Sequence, residues 1–171
     1  VTLNDYLAAR MMLEEQTNKV IIACDLRQRL KCYRSGALGN YATAFSVKLG
    51  RRGGDALTLA KAVHVAVRKV MKDDRALCTV LSCYAMMEPG LLDAAAISAL
   101  GGYESPSAAF VGQAMFGMGA PRGVSLTNLG KIESACLSEA MFIPPASPAM
   151  RRTVGAVTVN GRMILCDSAR R

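Results

Sequence analysis

Lys19 to Arg27 read KVIIACDLR, a short unbroken run of β-branched and small apolar residues closed by an acid and a base. A run this short, with no polar alternation inside it, predicts a strand buried on both faces. Its polar tail, Asp25-Leu26-Arg27-Gln28-Arg29, marks where the chain leaves the sheet.

Upstream, TLNDYLAARMMLEEQTN carries Leu3, Tyr6, Leu7, Met11 and Glu14 at helical spacing, with Thr2 and Asn4 as candidate caps. It predicts a helix over about residues 2–16. Downstream, a loop with Gly36, Gly39 and Asn40 leads into YATAFSVKLG, where Tyr41, Thr43, Phe45, Val47 and Leu49 alternate with smaller residues. That is a second strand. After the turn RRGG, Asp55 is placed to cap a long helix whose apolar stripe passes through Leu57, Ala60, Val63, Val67 and Val70 or Met71. The stripe continues with interruptions through Leu77, Leu81 and Tyr84 until Pro89 and Gly90 stop it.

Shorter helical pieces are expected near 91–100 and 106–116, on either side of a bend at Gly101-Gly102. The period then changes. GVSLTNLG, ACLSEAMFIPP, RRTVGAVTVNG and RMILC read as strands, the last two joined by a two-residue turn at Asn160-Gly161. Helices between strands and an antiparallel hairpin at the end predict an α/β two-layer sandwich, a mixed β-sheet with helices on one main face. No linker splits residues 1–171, so a single domain is expected; both termini fall close to regular elements, which suggests a fragment.

Composition narrows the function classes. Of 171 residues, 51% are hydrophobic and 20% charged, the make-up of a folded globular unit. No run reaches the roughly 18 apolar residues of a membrane span. The opening, VTLNDYLAAR, has no basic stretch ahead of an apolar one, so no signal peptide is read and a cytoplasmic setting is expected. The six cysteines, Cys24, Cys32, Cys78, Cys83, Cys136 and Cys166, form no C-x-x-C pair; they read as reduced core residues, with no metal site. The net charge of +8 invites a nucleic-acid reading. Against it, aromatics make up only 5%, and the pairs Arg51-Arg52, Arg151-Arg152 and Arg170-Arg171 have no stacking residue between them. A phosphate-bearing small cofactor would use the same charge.

From about Thr2 to Cys166 the chain strings together a T-L-N-D-Y-L helix, a strand ending D-L-R-x-R, and a G-N before the next strand. A long amphipathic helix, S-x-T-N-L-G and a closing strand pair with V-N-G follow. This order resembles the C-terminal half of the chloramphenicol acetyltransferase-like superfamily. The group includes alcohol acetyltransferases, wax ester synthases, polyketide-associated acyltransferases and the condensation domains of nonribosomal peptide synthetases. The resemblance implies the C-terminal lobe of a two-lobed acyltransferase with a tunnel between its lobes. One side of the tunnel receives an acyl-CoA or the phosphopantetheinyl thioester of an acyl-carrier protein; the other receives an alcohol or amine. No cofactor is held permanently, and the N-terminal lobe of the same protein is the first expected partner. The alternative is a non-catalytic interaction module that forms a homodimer or binds another chain.

The family's general base is the second histidine of an H-H-x-x-x-D-G motif in the N-terminal lobe, and this sequence lacks that motif. Its sole histidine, His64, sits mid-helix beside Val63, Val65 and Val67 and reads as a core or flank residue. Pairing it with Cys78 or Cys83 would need a contact that the sequence does not supply. No catalytic residue is therefore expected in the chain.

By the resemblance, the SLTNLG strand runs along the tunnel. Ser125 and Thr127 alternate with Leu126 and Asn128, so hydroxyls and amide point to opposite faces unless the strand bulges or ends. Ser125, Thr127 and Asn128 are the expected substrate-binding groups, with Gly39 and Asn40 beside them, where glycine permits close approach. The competing reading is a strand-end turn made by Asn128 and Gly130. Asp25, Arg27 and Arg29 are expected to brace the lobe junction. Met86, Met87, Met115, Met118, Phe110 and Phe116 either line an acyl pocket or fill the core.

Overall fold

The computed structural model describes residues 1–31, 33–39, 41–50, 54–100, 106, 107, 109, 110, 113, 123–145 and 150–169. The elements run α1 (Leu3–Glu14), β1 (Lys19–Asp25), β2 (Ala42–Lys48), α2 (Ala56–Val70), α3 (Asp74–Ala85), α4 (Pro89–Leu100), β3 (Gly123–Ile132), β4 (Met150–Val159) and β5 (Arg162–Ala169). One five-stranded sheet has the order β2-β1-β3-β4-β5. Its centre, β1-β3-β4, is parallel, and both outer strands are antiparallel to their neighbours. This is the mixed-sheet α/β architecture that the sequence predicts.

Helix α1 starts in a capping box. Thr2 Oγ1 accepts from the Asp5 amide at 3.3 Å, and Asp5 Oδ2 accepts from the Thr2 amide at 2.6 Å. Thr2 is thus the cap, and Asn4, the other candidate, is used elsewhere. Helix α2 starts where Asp55 accepts from the amides of Leu57 and Thr58 at 3.0 and 2.9 Å. The two helices pack side by side, α1 over β1 and β3, α2 over β2. Ala8, Ala9, Met12, Leu59, Ala60 and Val63 meet Val20, Ile22, Val47, Val124, Leu126 and Val154 in one buried cluster. Each large aliphatic side chain buried there contributes about 1.5–3 kcal/mol.

Three expectations are corrected. Burial in β1 alternates, with Val20 and Ile22 buried but Ile21 and Ala23 only half-buried, because helices cover one face of the sheet there and nothing comparable among the described residues covers the other. The long helix is two, α2 and α3, because Asp73 Oδ1 accepts from the Ala76 amide at 3.1 Å and caps a fresh start. ACLSEAMFIPP is no strand. Its two prolines cannot donate to a ladder, and the segment instead straps the second face of the sheet.

Gly155 of β4 makes room for that strap, since a Cβ there would lie 2.4 Å from the Phe142 carbonyl oxygen and 2.7 Å from Pro144. Asn160 clamps one end, accepting from the Ser134 amide at 3.0 Å and donating to the carbonyls of Ser134 and Leu137 at 3.0 and 2.8 Å. Ser168 Oγ holds the other end by donating to the Pro144 carbonyl at 2.6 Å. The turn at Asn160-Gly161 has φ of 45° and 81°, as a two-residue hairpin requires. The expected helix near 106–116 lies largely outside the described residues.

Candidate functional site

β1 and β3 are parallel, so their C-terminal ends open at the same edge of the sheet, where open α/β sheets place their ligand crevices. A cleft of about 450 Å³ lies at that edge. Cys24, Asp25 and Arg27 line it from the end of β1, Leu38, Gly39 and Tyr41 from the following loop, and Thr127, Asn128 and Leu129 from β3. Residues from three separate segments thus meet in one place. Asn40 lies outside the described residues, and Ser125, one strand repeat deeper, is not among the lining residues.

The exit of β1 is tied down locally. Arg27 Nε donates to both Asp25 carboxylate oxygens at 3.0 and 2.8 Å, and its amide donates to Oδ1 at 2.9 Å. These bonds hold the Asp25 carboxyl below the usual carboxylate range. Leu26, fully buried, anchors the turn and donates its amide to the Tyr41 carbonyl at 2.9 Å. Tyr41 packs edge-on against Tyr33, with ring centroids 5.0 Å apart. Arg29 leaves this group and pairs with Asp74 of α3. Asp25 and Arg27 brace the loop that shapes the cleft, whereas Arg29 ties that loop to a helix.

Asn128 is engaged in structure. Its Nδ2 donates to Asn4 Oδ1 in α1 at 2.7 Å, and its Oδ1 accepts from the Gly130 amide at 2.8 Å. Gly130, at φ +85°, allows the irregularity that shifts the β3-β4 register between Asn128 and Lys131. Ser125 and Thr127 face away from the helices, and their hydroxyls make no side-chain hydrogen bond among the described residues. Thr127 is the one of the two that lines the cleft.

Cys24 also lines the cleft, with Sγ 3.7 Å from Met71 Sδ. Burial pushes its thiol up, so it is kept protonated and poorly nucleophilic. His64 Nδ1 lies 2.7 Å from Asp5 Oδ2, far from these residues in the helical layer, and joins α2 to α1. Burial alone would raise the Asp5 carboxyl, but hydrogen bonds from the Thr2 amide and hydroxyl and from His64 outweigh it and hold Asp5 below its ordinary value. The T-x-x-D spacing is a local mark of this capping box, whereas no local pattern encodes its link to His64. Met86 and Phe110 are exposed, and neither lines the cleft; Met115, Met118 and Phe116 lie outside the described residues.

No protein-family model matches the sequence, and no curated protein matches it. Among solved structures, the crystal structure of the epimerization domain from the third module of tyrocidine synthetase B is similar, with a TM-score of 0.50 and 16% identity. The match covers 99% of this chain and 37% of that one. The likeness is one of fold. It sets this fold beside part of that epimerization domain, of which the chain spans little more than a third.

Proposed function

We propose that the chain is the C-terminal lobe of a two-lobed acyl-transfer protein, and that the cleft at the ends of β1 and β3 takes the thioester arm of the donor. The donor is an acyl-CoA or an acyl-carrier protein, and the acceptor an alcohol or amine. The observation that carries this reading is Thr127, a hydroxyl without a hydrogen-bond partner among the described residues, set in a cleft that Gly39 lines beside the Asp25–Arg27 brace. There the Thr127 hydroxyl donates to the thioester carbonyl oxygen and stabilises the negative charge that grows on it as the acceptor attacks. Asn128 fixes the end of the strand and acts as a positioning residue. The proton acceptor comes from the N-terminal lobe, since the sole histidine is committed to Asp5.

Calorimetric titration of the chain with an acyl-CoA tests the assignment. Thr127→Val keeps the side-chain shape and removes the hydroxyl, and is expected to weaken binding about 3- to 10-fold, the value of one neutral hydrogen bond. Ser125→Ala leaves it unchanged. Binding indifferent to Thr127→Val, or no binding at all, removes the cleft from the mechanism.

A further inference from the structure

β5 closes one edge of the sheet, and no strand lies beside its outer side among the described residues. Such an edge is a template for pairing with another chain, and proteins blunt it with proline, lysine, bulges or covering segments. β5 carries no proline, glycine or lysine and pairs with β4 in unbroken register from Arg162–Val159 to Ala169–Arg152. Its carboxylate, Asp167, is drawn toward β4 by Arg152, whose Nε and Nη2 donate at 2.7 and 2.6 Å. Met163 and Leu165 are exposed on the helix side, where a cleft of about 210 Å³ lies between Leu165 and the Tyr6 and Leu7 side chains of α1. Ile164 and Cys166 are half-buried on the strap side. The opposite edge, β2, ends on a lysine and offers small residues at Ala42, Ala44 and Ser46.

The two-residue turn makes Val159 and Arg162 the closing hydrogen-bonded pair. By alternation, the peptide groups of Arg162, Ile164 and Cys166 point to β4, and those of Met163, Leu165 and Asp167 point outward.

We propose that this edge pairs antiparallel with the same edge of a second copy of the chain, about a two-fold axis at Ile164. Ile164 then faces Ile164 of the second copy as a non-hydrogen-bonded pair. On both sides of the axis Met163 faces Leu165, and their outward peptide groups exchange hydrogen bonds. Arg162 faces Cys166 and Asp167 faces Gly161, so no like charges oppose and the Arg152–Asp167 pair is left intact. Centring on Leu165 would instead set Asp167 against Met163. This self-complementarity selects a second copy as the occupant, and the inference does not rest on the acyl-transfer reading.

Sedimentation equilibrium of the 171-residue chain, from low to hundreds of micromolar, tests the proposal. A reversible dimer is expected, and Leu165→Lys and Ile164→Lys each return it to monomer with unchanged circular dichroism. In a Cys136→Ser, Cys166→Ser background, Ile164→Cys forms a disulfide dimer under mild oxidation, because facing non-hydrogen-bonded residues stand about 4.5 Å apart at Cα. Arg162→Cys crosslinks far more slowly. A monomer at every concentration, a dimer indifferent to Ile164→Lys, or crosslinking at 162 as fast as at 164 overturns the proposal.

Discussion

The two faces of the sheet are made by the same strands to different ends. Toward the helices, Val20, Ile22, Val124, Leu126 and Val154 are buried with Ala8, Ala9 and Met12 of α1. Toward the other side, Ile21, Ala23, Ser125 and Thr127 are half-buried, and Ala42, Ala44 and Ser46 exposed. There the strap covers β4 at Gly155. Residues adjacent in sequence therefore divide into those that hold the fold and those that stay partly open.

Leu126→Ala is the sharpest probe of that division. It is expected to cost about 2–5 kcal/mol in urea denaturation, whereas Ser125→Ala, next door, should stay within about 0.5 kcal/mol. Comparable losses at both positions would erase the distinction between the faces. Gly155→Val is the next largest change. Its side chain meets the Phe142 carbonyl, and the overpacking is expected to cost about 1–3 kcal/mol. Limited proteolysis should then cut the freed strap between residues 134 and 145; a strap as resistant as in the parent would show that Gly155 does not seat it.

Arg152→Met probes the helix side where it meets β5. Arg152 holds Asp167 and, at 2.6 Å, Glu14 of α1, all partly open to water. With solvent screening the loss is expected at about 1–2 kcal/mol, smaller in high salt. A salt-independent loss would point to packing instead.

Asp5→Asn is expected to act through pH. The Asp5 carboxyl is depressed in the folded chain, so its stabilisation is complete above the unfolded carboxylate range and is lost as pH falls through the folded value. Stability curves of parent and variant should run apart at neutral pH and converge in acid. Convergence at alkaline pH would contradict the assignment.

How far the sequence reveals this differs by element. KVIIACDLR is legible as a strand, but Ile21 and Ala23 are apolar on a face that no helix covers among the described residues, which hides the alternation of burial. The break between α2 and α3 is legible in Asp73, a capping residue set inside a continuing apolar stripe. The strap was foreshadowed by Pro144 and Pro145, though its clamp on Asn160 is a long-range contact that no local pattern encodes. In the site, Gly39, Asp25, Arg27, Thr127 and Asn128 do gather at one cleft. The turn that Asn128 makes with Gly130 is legible as a local pattern, whereas its bond to Asn4, 124 residues away, is not.

The most direct test of the acyl-transfer reading is the intact mass of the native polypeptide, compared with its reading frame. That reading predicts a longer product with an H-H-x-x-x-D-G segment N-terminal to Val1. A native product consisting of these 171 residues alone would contradict it.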